Sequence, residues 1–232
     1  MPASERAEIA AALAQAVRAA GDLALTTFNS ALKHWTKGKD SPVSEADIAV
    51  DHLLRDRLHR IAPDAGWLSE ETDDDRSRLD KRRVWVVDPI DGTRAYIAGL
   101  LDWTISAALV EDGRPVIAAL FAPAENEFFS AVVAEGATCN GQRLRASDGH
   151  GLEGARISGP RRITEQLAAV VPTVIALPRV RASMKLQYLM HQRKSSLFLS
   201  TSSSPSFPAL CSEIDGCYNS SLTGHDLPLL SF

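Results

Sequence analysis

Apolar positions recur along this chain at two spacings, helical near the N-terminus and extended through the middle. From Glu5 to Phe28, the positions Ile9, Leu13, Val17 and Phe28 fall near helical spacing on an alanine-rich background, which predicts one long amphipathic helix. A second helix is expected from Ser44, with Val50, Leu54, Leu58 and Ile61 on one face and a stop near Pro63. Between them, Lys33 to Pro42 carries Lys33, Lys37, Gly38, Lys39 and Pro42 without a period. That reads as a basic, mobile loop, of a kind able to close over an anion.

Extended runs follow. Gly66 to Leu68 is a short strand leading into Ser69, Glu70 and Glu71, and a buried strand starts at Val84. Trp103 to Val110, Pro115 to Ala122 and Glu127 to Ala134 read as three more strands, joined by Asp112-Gly113 and by the Pro123 to Asn126 segment. This is an antiparallel meander, with Asn140-Gly141 marking a further turn. Ile157 to Pro160 and Val171 to Ala176 read as short strands around a helix near Thr164 to Ala169, the start of an α/β second half. From about Ser183 serines crowd a segment broken by Pro205 and Pro208, and no period is sustained. The expected class is α+β, with the N-terminal helices against a large antiparallel sheet and an incomplete second layer after about Ala146. The division this suggests is residues 1–145, carrying the chemistry, and a partial subdomain at 146–232.

The strand from Val84 ends in Asp88-Pro89-Ile90-Asp91-Gly92-Thr93. Two acids at the exit of a buried strand repel unless protonated or bridged by a cation, so the pattern points to a divalent metal. Pro89 biases Asp88 toward an extended backbone, Gly92 admits close approach, and Thr93 opens a helix whose free amides at Gly92 and Thr93 would meet a phosphate. Metals beside phosphate suggest phosphoryl transfer to water. Asp47, three residues after Ser44, has two readings that remain compatible, a capping acid or a water-activating acid. Glu70 directly follows an apolar strand as Asp88 does, whereas the run Asp73, Asp74, Asp75 has no strand to aim it and reads as a solvated face.

Composition narrows this picture. With 232 residues, 45% of them hydrophobic, the chain can bury a substantial core. A net charge of −4 gives no global attraction to a nucleic acid polymer or an anionic membrane, so a phosphate ligand must be held locally. Cys139, Cys211 and Cys217 leave an odd thiol in any pairing, which points to a reducing compartment and the cytoplasm as the expected location. No uninterrupted apolar stretch of membrane-spanning length stands out, so membrane insertion is not expected.

Four pieces carry a family resemblance. They are Ser-Pro-Val-Ser-Glu-Ala-Asp at 41–47, Trp-Leu-Ser-Glu-Glu at 67–71, Trp-Val-Val-Asp-Pro-Ile-Asp-Gly-Thr at 85–93 and Glu-Gly-Ala-Thr-Cys-Asn-Gly at 135–141. In order and spacing the chain resembles, over roughly Ala10 to Pro178, the magnesium-dependent, lithium-sensitive phosphatase superfamily that includes inositol monophosphatase and 3'(2'),5'-bisphosphate nucleotidase. The resemblance implies a layered α/β/α/β sandwich of the sugar-phosphatase type, with Mg²⁺ as cofactor and a small phosphate monoester as substrate. It implies a first Mg²⁺ on Glu70, Asp88 and the carbonyl of Ile90, a second shared by Asp88 and Asp91, and Thr93, hydrogen-bonded to Asp47, orienting a metal-bound water. The Gly92 and Thr93 amides would hold the phosphate. Relatives in that family commonly dimerise, which makes a homodimer possible, but no interface patch can be picked from the sequence.

The resemblance fails at the end of the sequence. The family's second motif is a Trp-Asp whose acid completes the second metal, and here the chain reads Gly-His-Asp-Leu-Pro-Leu-Leu-Ser-Phe. Asp226 is the nearest substitute, but Pro228 bars a continuing helix. This half therefore reads as truncated or frame-altered. The segment Lys33 to Val43 is similar to bacterial 3'(2'),5'-bisphosphate nucleotidases of sulfur metabolism, with Lys37 and Lys39 as candidate contacts to a doubly phosphorylated substrate, adenosine 3',5'-bisphosphate. Inositol monophosphatase activity, a fructose 1,6-bisphosphatase-like activity and a metal- and phosphate-binding homologue impaired in turnover are the alternatives.

Overall fold

The computed structural model describes residues 1–37, 41–74, 76–145, 152–158, 161–176 and 196–198. The first helix, α1 (Ala3–Thr27), buries Ile9, Leu13, Ala16, Val17, Ala20, Gly21 and Ala24 along one side. Glu8, Arg18 and Asp22 face out, the division expected of a helix lying on a core. By length and composition this helix is apolar enough to cross a membrane, although Arg18 and Asp22 interrupt its apolar run. The cause is its alanine background, which raises mean hydropathy, while its large apolar residues are spent on the protein core.

Helix α2 (Glu45–Ile61) starts at Ser44 and buries Val50, Leu54 and Leu58, ending before Pro63 as the residue preceding proline disfavours helix. Upstream of it the expected loop is a correction. His34–Lys37 (β1) and Ser41–Ser44 (β2) form an antiparallel ribbon pairing Trp35 with Val43 and Lys37 with Ser41. All four β1 residues are exposed, so no alternation of polar and apolar residues announces the strand. Lys39 lies outside the described residues.

The main sheet has seven strands in chain order: β3 (Gly66–Ser69), β4 (Arg83–Asp91), β5 (Thr104–Glu111), β6 (Arg114–Ala122), β7 (Glu127–Val132), β8 (Gly136–Cys139) and β9 (Gln142–Arg143). Only β3 and β4 pair in parallel; the rest is the antiparallel meander read from the turn residues. Asp112-Gly113 and Asn140-Gly141 adopt positive φ, 51° with 75° and 48° with 78°, the backbone that two-residue hairpins require. A short helix, α3 (Thr93–Ile97), separates β4 from β5.

Helices α1 and α2 cover one face of the sheet, where Leu13, Val17, Leu54 and Leu58 pack with Trp85, Ile105, Leu109 and Phe121. A Cβ at Gly21 would run into the Phe121 ring, so glycine here sets how closely α1 approaches β6. The opposite face presents Ala108, Ala118, Leu120, Phe129 and Ala131, also buried.

Beyond the meander, β10 (Arg156–Ser158), α4 (Arg161–Val170), β11 (Ile175–Ala176) and β12 (Ser196–Phe198) include a three-stranded parallel sheet in the order β11-β10-β12. The first two strands and the helix were expected. The third was not, since Ser196–Phe198 falls in the serine-rich stretch read as irregular. Asp226 lies outside the described residues.

Candidate active site

Strand β4 is buried from Trp85 to Ile90, and Asp88 is only 2% exposed. Its pairing with β5 runs in register to Asp88 opposite Ser106, shifts, and resumes at Asp91 opposite Thr104. One extra residue on β4 therefore sits at Pro89-Ile90. Proline has no N–H to give the ladder, which is why a bulge falls there. In an unbroken strand Asp88 and Asp91 would face opposite sides of the sheet; the bulge removes that constraint.

Glu70 follows the last residue of β3. Ser69 pairs with Val87, and the Glu70 N–H donates to the Val87 carbonyl at 3.3 Å. The two parallel strands thus deliver Glu70 and Asp88 to neighbouring exits, Glu70 exposed and Asp88 buried. Gly92, with φ 108°, turns the chain into α3, and its carbonyl accepts from Ala95 and Tyr96. Tyr96 is held in turn by an edge-on contact with Trp103 at 4.9 Å and by its hydroxyl donating to the Ala24 carbonyl at 2.6 Å. The start of α3 is therefore fixed against α1.

Asp47 caps α2, as one of its two readings expected, and also reaches Thr93. Its Oδ2 accepts the Ser44 N–H at 2.8 Å and the Ser44 hydroxyl at 2.5 Å, which caps α2. Its Oδ1 accepts the Thr93 hydroxyl at 2.9 Å, across 46 residues of sequence. Thr93 Oγ1 also lies 3.1 Å from the Ile90 carbonyl. Burial pushes the Asp47 carboxyl above its ordinary value, against the lowering by its Ser44 and Thr93 donors.

Lys37 reaches in from the ribbon. Its ammonium donates to the Glu70 carbonyl at 2.5 Å and lies 3.9 Å from the Glu71 carboxylate. Burial pushes Glu71 up to about 7, with the charge of Asp47 adding to this and Lys37 opposing it. Asp51 escaped the sequence reading. It is 3% exposed and accepts the hydroxyls of Ser69 and of Thr72, the latter at 3.0 Å. A signal for it exists: Asp47, Asp51, Leu54 and Leu58 form one helical stripe, so Asp51 is an acid at an apolar position. The run after Glu71 is partly structured, since Asp74 accepts two bonds from the Arg78 guanidinium at 3.1 and 2.8 Å.

Among the described residues, no three acids, histidines or cysteines converge closely enough to cage a metal. The donors along the exits of β3 and β4 are nevertheless hard oxygens: Glu70, Asp88, Asp91 and the Ile90 carbonyl. Mg²⁺ is commonly held by one or two carboxylates while keeping several waters, so an open set of this chemistry fits it.

Comparison with known proteins bears on the same residues. A sequence profile described as the inositol monophosphatase family matches residues 5–195. A Nus factor SuhB from Xylella fastidiosa is 30% identical over 198 residues, covering 80% of this chain and 71% of that protein. The 3'(2'),5'-bisphosphate nucleotidase CysQ of Escherichia coli K12 is 35% identical over 120 residues, so this chain spans 49% of that protein's length and the match takes up 50% of its own. Among solved structures, an inositol monophosphatase from Zymomonas mobilis superimposes with a TM-score of 0.73 at 25% identity, covering 94% of this chain and 85% of that one.

Proposed function

The chain belongs to the inositol monophosphatase family, a family of phosphatases, and on that premise we propose that it is a Mg²⁺-dependent phosphomonoesterase acting on adenosine 3',5'-bisphosphate. The observation that carries the reading is the Asp47–Thr93 hydrogen bond, which brings a capped, buried acid to the hydroxyl just beyond the Asp88–Asp91 bulge. No covalent protein nucleophile is required. Water attacks phosphorus in line, the bond from phosphorus to the 3' oxygen breaks, and the products are AMP and inorganic phosphate.

Bound Mg²⁺ supplies Lewis-acid stabilisation of the charge developing on the phosphoryl oxygens. Glu70, Asp88, Asp91 and the Ile90 carbonyl would hold it, and Asp226 is the sequence's remaining candidate ligand. Thr93, fixed by Asp47, orients the attacking water through its own Oγ. The amides of Gly92 and Thr93, at the start of α3, face the phosphate. Lys37 sits within reach of this edge, and with Lys39 it is the proposed contact to the second phosphate. The substrate choice rests on the CysQ match, 35% identical over 120 residues, and on the similarity of the Lys33 to Val43 segment to such nucleotidases. Inositol 1-phosphate is the competing substrate, since the Zymomonas mobilis inositol monophosphatase covers more of the chain.

The experiment is phosphate release from adenosine 3',5'-bisphosphate and from inositol 1-phosphate, each with Mg²⁺, with chelator, and with Asp91→Asn. Faster release from the nucleotide that needs both Mg²⁺ and Asp91 supports the reading. Preference for inositol 1-phosphate overturns the substrate assignment. A folded protein that binds Mg²⁺ and releases phosphate from neither overturns the activity.

A further inference from the structure

Helix α2 carries two buried acids one turn apart, and each is bonded to a different part of the candidate site. Asp47 holds Thr93, on the water and phosphate side. Asp51 is the second, and its two carboxylate oxygens are divided between Ser69 and Thr72. Those residues flank Glu70 and Glu71 in sequence. The Ser69 hydroxyl, while donating to Asp51, also lies 3.3 Å from the Glu71 N–H, which it accepts. The Glu70 N–H is bonded to Val87, and its carbonyl takes the Lys37 ammonium. The backbone at Glu70 and Glu71 is thus tied by three hydrogen bonds, while Glu70 itself is exposed.

A carboxylate buried to 3% is costly unless its lone pairs are used. Plain packing at this stripe position, in line with Leu54 and Leu58, needs only an apolar side chain. We propose that Asp51 is a positioning residue for metal binding: it clamps the Ser69–Thr72 turn to α2 so that Glu70 is presented to a divalent cation at the exit of β3. The proposal rests on the reading of Glu70 as a metal ligand. Outer groups that orient a ligand typically contribute about 10- to 100-fold in metal affinity, and Asp51 acts indirectly, through Ser69 just before Glu70 and Thr72 two residues after it, so the low end is expected.

The test measures Mg²⁺ affinity directly, by titration calorimetry and by the Mg²⁺ dependence of the melting temperature. The proteins are wild type, Asp51→Asn, Thr72→Val and Leu54→Ala. Asp51→Asn is expected to weaken Mg²⁺ binding about tenfold and Thr72→Val by a smaller factor, with the half-saturating Mg²⁺ for phosphate release rising in parallel and the rate at saturating Mg²⁺ largely recovering. Leu54→Ala, which removes a core residue of the same helix, should lower the melting temperature and leave Mg²⁺ affinity unchanged. If Asp51→Asn does not fold, Thr72→Val carries the same comparison. Mg²⁺ affinity that is unchanged in Asp51→Asn or, in its place, Thr72→Val, while wild type binds, overturns this inference alone. A wild type that binds no Mg²⁺ overturns it together with the metal-dependent phosphatase reading.

Discussion

Thr93 has one hydroxyl hydrogen and two acceptors within reach, Asp47 Oδ1 and the Ile90 carbonyl. Thr93→Val keeps the shape and removes the donor, leaving a buried carboxylate one partner short. Stability should fall by about 1–2 kcal/mol, read by urea unfolding. Phosphate release should fall by about 10²-fold or more, because in the proposed mechanism this hydroxyl orients the attacking water. Thr93→Ser should recover most of both. Release equal to wild type in Thr93→Val would remove Thr93 from the chemistry. At this scale the sequence was informative where a motif packs several unusual choices together: Asp88, Pro89, Asp91 and Gly92 announce themselves in five residues. Asp51 did not, because a lone acid on a helix is ordinarily solvated and only the fold reveals that this one is 3% exposed with two hydroxyls on it.

Contacts between elements make different demands. Gly21 costs α1 up to about 1 kcal/mol of helix propensity relative to alanine, yet a methyl there would strike the Phe121 ring and lie 3.0 Å from Pro123 Cγ. Overpacking of this kind typically costs about 1–3 kcal/mol, so Gly21→Ala should be net destabilising in a thermal melt despite its better propensity. Strand β4 is tied to α1 and to the turn before β3 by Arg83, which donates to Glu5 at 2.9 Å and to Asp64 at 2.5 and 2.8 Å. The Arg83 hydrogen bonds hold the Asp64 carboxyl below its ordinary 3.8. A lowered value means the folded state favours the ionised form, so the contribution is full above about pH 4 and is lost as pH falls through the lowered value. Asp64→Asn should therefore lower the melting temperature slightly at neutral pH, with the difference from wild type shrinking as pH falls below about 4; the effect is small because Asp64 is solvent-facing. Elements were legible where one face is buried. The β1–β2 ribbon was not, since β1 is exposed on every residue, and β12 was not, since three residues are too short to show a period.

Across the whole molecule, the site draws on α2, β3, β4 and α3, so a ligand that binds it stabilises their arrangement together. Mg²⁺ well above its Kd should raise the melting temperature, by about 3 kcal/mol of stability at a hundredfold excess, and should do so more in wild type than in Asp88→Asn. An equal rise in both would exclude Asp88 as a ligand. The meander and the helix pair could be read from turn residues and periodicity because those signals are local. The parallel pairing of β3 with β4 could not, because it joins strands with no hairpin between them, and it is this pairing that sets Glu70 beside Asp88. The four-residue interval between Asp47 and Asp51 also acts as a ruler. One residue inserted within it would rotate whatever follows by about 100° around the helix axis, so Thr93 or the Ser69–Thr72 turn would lose its partner regardless of which amino acid was added. An insertion between Asp73 and Asp74, outside both α2 and the Ser69–Thr72 turn, shifts neither of these partners around a helix axis. Length variation among descendants of this chain should accumulate in the second stretch and be purged from the first.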